Sequence, residues 1–336
     1  GPVLVVIYLW HLAVLVPLLV VWLAVNIGRG ATALASSLVR IKRRPEPVSE
    51  GLSRREFLGA AAALAPAVLT LGGSVAAHAQ LARFRVREIE LPLSSLPAAL
   101  EGLRIAHVTD IHVGRFTQGA VLEEIVRTTN NLRADLVLLT GDLINYALSD
   151  LPVALEVVNS LRGTHGVFTC EGNHDLIENG RTFESATRAA GVNLLRNEST
   201  VLEIRGARLQ LLGLRWGGLQ AGGSRAKQHG DAAIAASMAE LLTQRRADAF
   251  PLLLAHHPHA FDFAEGIPLT LAGHTHGGQL MFSERTGFGP WLFRYWSGLY
   301  EKAGRALVVS NGVGNWFPLR TNAPAEIIQL TLRARP

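Results

Sequence analysis

Gly166-Val167-Phe168-Thr169-Cys170-Glu171 runs straight into Gly172-Asn173-His174-Asp175. A short apolar run stopping at a Gly-led polar turn reads as a buried strand with functional groups at its carboxyl end. Such strand ends are where α/β proteins place their chemistry. Gly permits close backbone approach, while Asn, His and Asp each supply a ligand, donor or acceptor. The same residues also make ordinary turns, so the reading depends on how the other strands end.

Four more apolar runs end in the same way. Leu103 to Thr109 leads into Asp110-Ile111-His112, and Leu136 to Thr140 into Gly141-Asp142. Pro251 to Ala255 leads into His256-His257-Pro258, and Leu269 to Ala272 into Gly273-His274-Thr275-His276. If the strands lie side by side, their ends converge on one rim. Seven or more nitrogen and oxygen ligands are too many for one metal and fit two ions sharing a bridging carboxylate.

Helical patterns around Ala120 to Leu132 and Leu151 to Leu161 separate the early strands, and Phe84 to Leu91 alternates as a half-buried strand does. This strand-helix-strand order predicts an α/β fold. Further strands are expected at Ser199 to Ile204, Arg208 to Leu214, Ala306 to Ser310 and Glu326 to Leu332, with a helix over residues 231 to 243. Cys170 is the one cysteine and reads as a small buried strand residue, which leaves no internal disulfide.

The 336 residues carry 32 basic and 27 acidic side chains. Seven of the basic ones precede Gln80 (Arg29, Arg40, Lys42, Arg43, Arg44, Arg54, Arg55) against only Glu46, Glu50 and Glu56. The remainder is nearly neutral, so a nucleic-acid partner is not expected. Residue 1 is Gly, which predicts a truncated or processed start. Val3 to Ile27 is almost continuously apolar and predicts a transmembrane helix over residues 1–28. Residues 29–56 read as a basic cytoplasmic loop. Residues 57–79 read as a second apolar helix, and Ser53-Arg54-Arg55-Glu56-Phe57-Leu58 before it resembles a twin-arginine export signal, with Gly59 where Lys is frequent. Ala77-His78-Ala79 offers a cleavage site before Gln80. These segments place a domain over residues 80–336 at a bacterial inner membrane, on its periplasmic side.

The order D-x-H, G-D, G-N-H-D, H-x-P, G-H-x-H resembles the calcineurin-like metallophosphoesterase superfamily over roughly residues 100 to 332. Ser310-Asn311-Gly312-Val313-Gly314, Pro318-Leu319-Arg320 and Pro324-Ala325-Glu326-Ile327 are similar to its membrane-associated or exported bacterial phosphodiesterase branch. Some members of that branch are UDP-2,3-diacylglucosamine hydrolases of lipid A biosynthesis. The resemblance implies a four-layer α/β-β/α sandwich, preceded here by N-terminal membrane helices. It implies that Asp110, His112 and His276 bind one divalent metal, that Asn173, His256 and His274 bind the other, and that Asp142 bridges them. His174 is then the catalytic residue that contacts the phosphate or protonates the leaving oxygen, with Asp175 orienting it. Imidazole and carboxylate ligands suit Mn, Zn or Fe. The expected activity is phosphodiester or pyrophosphate hydrolysis by metal-activated water, with a lipid-linked phosphoester among the substrates and membrane lipid as a partner. UDP-linked lipid A precursors face the cytoplasm, whereas the arginine pair puts this domain outside, so that substrate and that topology exclude one another. The competing reading is a non-catalytic metal-binding membrane scaffold protein. Arg115 is a further candidate phosphate contact. Trp291, Phe293, Tyr295 and Trp296 around Arg294 form either a satellite core or a lipid-contacting cluster.

Overall fold

Fourteen strands, counted among the described residues, follow the apolar runs. They are β1 (Arg85–Leu93), β2 (Arg104–Val108), β3 (Leu136–Thr140), β4 (Val167–Cys170), β5 (Asn193–Leu194), β6 (Glu198–Ile204), β7 (Ala207–Gly213), β8 (Phe250–Leu254), β9 (Leu269–Ala272), β10 (Met281–Ser283), β11 (Thr286–Gly287), β12 (Gly298–Lys302), β13 (Arg305–Val309) and β14 (Glu326–Ala334). The computed structural model describes residues 7, 9–38, 54–216, 226–283 and 285–335.

One six-stranded sheet has the order β1-β14-β2-β3-β4-β5 and the other β12-β13-β9-β8-β7-β6. Strands β2, β3, β4 and β5 pair in parallel, as do β7, β8, β9 and β13. β14 enters antiparallel to β2 and parallel to β1. Every residue of β3, β8 and β9 is buried. Sheets covered on both faces require that.

Side-chain alternation divides the apolar residues into layers. Ile105, Leu136, Leu138, Phe168 and Cys170 of one sheet share a core with Leu209, Leu211, Leu252, Leu254, Leu269 and Leu271 of the other. The opposite face of the first sheet, through Ala106, Val108, Val137 and Leu139, packs on Leu122 and Ile125 of helix Ala120–Asn131 and on Leu155 and Val158 of helix Leu151–Ser160. The outer face of the second sheet packs Leu212 and Leu253 on Ile234, Met238 and Leu241 of helix Ala226–Leu242. The result is helix, sheet, sheet, helix. Each fully buried Leu or Ile contributes about 1.5–3 kcal/mol relative to exposure.

His107 lies in that layer, on the β2 face between Ala106 and Val108. Its Nε2 meets Thr140 Oγ1 at 2.9 Å. Burial pushes its pKa down to about 4 from 6.5, with the Asp110 charge opposing. The unfolded ring takes a proton below 6.5 and the folded ring does so only near 4. Its contribution is therefore complete above pH 6.5 and is lost as the pH falls from there to about 4, by about 3 kcal/mol in total. In chelator-treated protein, stability to urea should fall between pH 7 and 4.5, and less steeply in His107→Gln. The difference between the two slopes isolates this ring from other buried histidines; equal slopes would refute the assignment.

The chain divides into units Gly1–Ala79 and Gln80–Pro336. In the first unit Leu9–Leu15 is π-helical, and Val16–Leu38 and Arg54–Gln80 are α-helical. Helix Val16–Leu38 continues through residues 29–38, where a loop was expected. No helix among the described residues is long and apolar enough to cross a membrane. The start of the expected first span and the basic segment Arg40 to Arg44 lie outside the described residues, as does Ser53 of the arginine motif.

Candidate metal centre

The carboxyl ends of β2, β3, β4, β8 and β9 each deliver side chains to one rim. Asp110, His112, Asp142, His274 and His276 all hold left-handed backbone, with φ of 54°, 49°, 55°, 72° and 50°. Non-glycine residues adopt this conformation at a cost of order 1–3 kcal/mol each, and they cluster at functional sites. Cross-strand bonds hold them there: Asp110 N donates to Gly141 O at 3.0 Å and His112 N to Asp142 O at 3.0 Å. Gly172 is required for closeness, since a Cβ there would fall 2.1 Å from Asp142 Oδ1.

The side chains form two groups that share one carboxylate. In the first, His276 Nε2 lies 3.2 Å and His112 Nε2 3.7 Å from Asp110 Oδ1, and the two ring nitrogens are 3.0 Å apart. In the second, Asn173 Oδ1 lies 3.1 Å from His256 Nε2 and 2.9 Å from His274 Nδ1. Asp142 Oδ2 reaches both, at 3.5 Å from His112 Nε2 and 3.1 Å from His256 Nε2. All seven residues proposed as ligands are thus brought together. Of the two adjacent rings, His256 faces the Asp142 and Asn173 oxygens, whereas His257 Nδ1 accepts from His259 N at 3.1 Å.

This donor set fits divalent metal. His256 Nδ1 meets the Thr140 carbonyl at 2.6 Å and must donate to it, so Nε2 faces the Asp142 and Asn173 oxygens, where either a proton or a metal ion has to lie between them. Converging lone pairs repel unless a cation lies among them. Burial pushes His274 down to about 3 and His276 to about 4, keeping both rings neutral at neutral pH. Burial also lowers His256, but the charges of Asp142 and Asp110 outweigh it and raise the ring to about 9. Burial opposes ionisation of Asp110 too, yet His276, His112 and His256 hold it well below the usual carboxylate range. The pocket demands positive charge.

His174 stands beside this centre, its ring 4.6 Å from that of His112. Burial lowers its pKa, with the Asp142 charge opposing. Its Nδ1 bonds to the Asn145 carbonyl and its backbone N donates to Asp142 Oδ1 at 2.8 Å. Asp175 was expected to orient this ring, but it is placed differently. Its Oδ2 accepts from Asp142 N and Gly172 N, both at 2.9 Å, and its Oδ1 from Leu143 N at 2.8 Å and Ile144 N at 3.2 Å. It ties the β3 turn to the β4 turn, and the Asn145 carbonyl holds the imidazole.

Two further groups have no assigned role in the sequence pattern. Arg320 is buried, and its Nη2 donates to His276 Nδ1 at 2.8 Å while its other N–H groups bind Asn315 Oδ1 and the carbonyls of Asn311, Gly314 and Ala323. Glu171, also buried, accepts from Arg196 Nε at 2.6 Å and Trp216 N at 2.9 Å. That sets the Trp216 ring 5.0 Å from His274. Arg115 is exposed.

Residues 103–278 match the calcineurin-like phosphoesterase family. An uncharacterized metallophosphoesterase of Helicobacter pylori is 31% identical over 258 residues, 75% of this chain and 65% of that one. A transmembrane protein with metallophosphoesterase domain from Danio rerio is 30% identical over 311 residues, 89% of this chain and 68% of that one. A phosphodiesterase of Escherichia coli is 28% identical over 237 residues, 68% of this chain and 82% of that one. The chain spans 65% of the length of the Helicobacter relatives it matches. On the matched residues and the ligand-rich rim they build, the chain belongs to the calcineurin-like phosphoesterase family.

Proposed function

We propose that the chain hydrolyses a phosphodiester or pyrophosphate bond with water activated between two divalent metals. Asp110, His112 and His276 would hold one ion and Asn173, His256 and His274 the other, with Asp142 shared between the two groups. The observation that carries this reading is the single carboxylate, Asp142, within 3.5 Å of a histidine from each group. Bound ions would supply Lewis acidity toward the phosphoryl oxygens and a hydroxide nucleophile at neutral pH. Asn173 ligates without adding charge, which leaves the pair more electrophilic than a third carboxylate would. His174, fixed through Nδ1 to the Asn145 carbonyl, carries its proton on Nδ1 when neutral, so Nε2 would donate to the departing oxygen only from the imidazolium form, which the charge of a bound phosphate favours. Arg320 donates to His276 Nδ1, which places the proton of the neutral ring on Nε2, facing Asp110 Oδ1 at 3.2 Å, so ligation through Nε2 would require that proton to leave.

The N-terminal unit is proposed to hold the domain at a membrane, with the arginine pair directing export of residues 80–336. An export-dependent reporter fused after residue 336 that stays silent would refute that placement. For the chemistry, the deciding experiment is a panel with added Mn, Zn or Fe containing bis-p-nitrophenyl phosphate, phospholipids and UDP-2,3-diacylglucosamine. Turnover of at least one member is expected. Two bound metals without turnover of any would favour the scaffold reading.

A further inference from the structure

Four large apolar side chains stand out of one short stretch beside the metal centre. Phe282 is 70% exposed, Trp291 62%, Leu292 58% and Phe288 41%. The Trp291 ring lies 5.7 Å from Phe282 and 5.9 Å from Phe288, so three of them make one continuous aromatic face. The cluster expected around Arg294 therefore divides. Tyr295 turns inward, packs on Phe261 and Tyr300 and bonds to Asp262 at 2.9 Å. Trp291 turns outward.

The outward face is attached to the ligand turn. A Cβ on Gly278 would fall 2.3 Å from Gly289 Cα, so helix Phe288–Leu292 lies directly against the turn that follows His276. Thr275, between the two ligand histidines, donates to the Trp296 carbonyl at 2.6 Å. The Phe293 ring is 6.1 Å from that of His274. Across the site Trp316, 42% exposed, lies 6.0 Å from the His174 ring. The metal centre therefore opens beside an apolar rim whose position is set by its own ligand segment.

Soluble chains seldom leave a contiguous apolar face uncovered. The chemistry around this one indicates what covers it. Arg285 is exposed in the β10-β11 hairpin, and Arg294, beyond the helix, shares Asp262 with Lys302 at 2.8 and 3.6 Å. Trp, Phe and Leu flanked by Arg form the composition of an interfacial segment: rings at the acyl boundary, cations on lipid phosphates. The chain also carries its own apolar helix, Arg54–Gln80, with Phe57, Leu58, Leu64, Val68, Leu71 and Val75 exposed, and only residues 81–84 separate it from β1.

We propose that Phe282, Phe288, Trp291 and Leu292 seat the metal centre on an anionic lipid surface, and that its substrate is an amphiphilic phosphoester whose apolar tail stays in that surface. The second half rests on the phosphoesterase reading above; the first does not.

The test uses the full chain with phosphatidylglycerol vesicles containing brominated lipid, a short-range quencher of tryptophan. Wild type should lose more emission than Trp291→Phe, the difference being the contribution of Trp291. In parallel, hydrolysis of soluble bis-p-nitrophenyl phosphate is compared with that of a p-nitrophenyl phosphatidyl diester in the same vesicles. Combined Phe282→Ser, Trp291→Ser and Leu292→Ser should leave the soluble reaction unchanged and slow the vesicle reaction by about tenfold or more, since each lost anchor weakens interfacial binding. Equal quenching of wild type and Trp291→Phe overturns the proposal, whether a second copy, a protein or the chain's own helices cover the face. Equal vesicle rates in wild type and triple variant overturn it as well. Failure of both substrates with Trp291 still quenched would sink the hydrolase reading and leave the lipid-docking face standing.

Discussion

Asp142→Asn should leave a folded protein that holds fewer than two metals per chain and hydrolyses phosphodiesters about 10³-fold more slowly. The rate estimate corresponds to several kcal/mol of lost charge stabilisation. Asp142 is buried, and its Oδ2 faces His112 from one group and His256 from the other. No other carboxylate among the described residues lies within ion-pair distance of both. Asn keeps the volume and can still accept from His174 N, so the β3 turn has little reason to move. What is lost is one negative charge adjoining both metal positions. The His256 ring, now without the field that raises it to about 9, should also titrate lower. Metal content by atomic emission and the thermal midpoint, read together, separate this from unfolding. Two tightly held metals in a folded Asp142→Asn would remove Asp142 from the bridging position.

Much of this site can be read from the chain because each of the seven residues closes or follows an apolar run. Sequence order is preserved at the strand ends, and parallel neighbours bring those ends to one edge. The layers are equally readable, since buried strands such as β3 and β8 are apolar throughout. Other features leave no such trace. β14 slots between β1 and β2, a pairing of the chain's last strand with its earliest that alternation alone does not encode. Helix Gly180–Ala189 buries only Phe183 and Thr187, too few positions to set a period. β12 is an edge strand with no fully buried residue. At the centre, the group that holds His174 is the backbone carbonyl of Asn145, which has no side-chain signature. Arg320 reaches His276 from 44 residues away, so spacing gives no hint of the contact.

Asp175 marks the limit of motif reading most sharply, and Asp175→Asn should separate the two roles open to it. An orienting role for His174 predicts slower turnover in a protein of normal stability that keeps both metals. The geometry predicts a less stable protein. Each carboxylate oxygen accepts two backbone N–H groups, one pair from Asp142 and Gly172, the other from Leu143 and Ile144. Asn has one oxygen, so either amide orientation turns an NH2 toward two buried donors. Each buried donor left without a partner costs about 1–3 kcal/mol, which gives about 2–6 kcal/mol for the pair. For a domain of this size the thermal midpoint should fall by several degrees, about 2–4 °C per kcal/mol. Metal affinity should fall with it, because the loosened amides include that of Asp142. Burial and the Asp142 charge push the Asp175 carboxyl up from its ordinary value, while the Gly172 and Ile144 amides oppose them, and four N–H donors on its two oxygens require the ionised form. The fold thus spends some stability to hold a carboxyl between two turns. Thermal unfolding and metal titration of Asp175→Asn decide the matter: an unchanged midpoint with slow turnover would return Asp175 to the catalytic machinery.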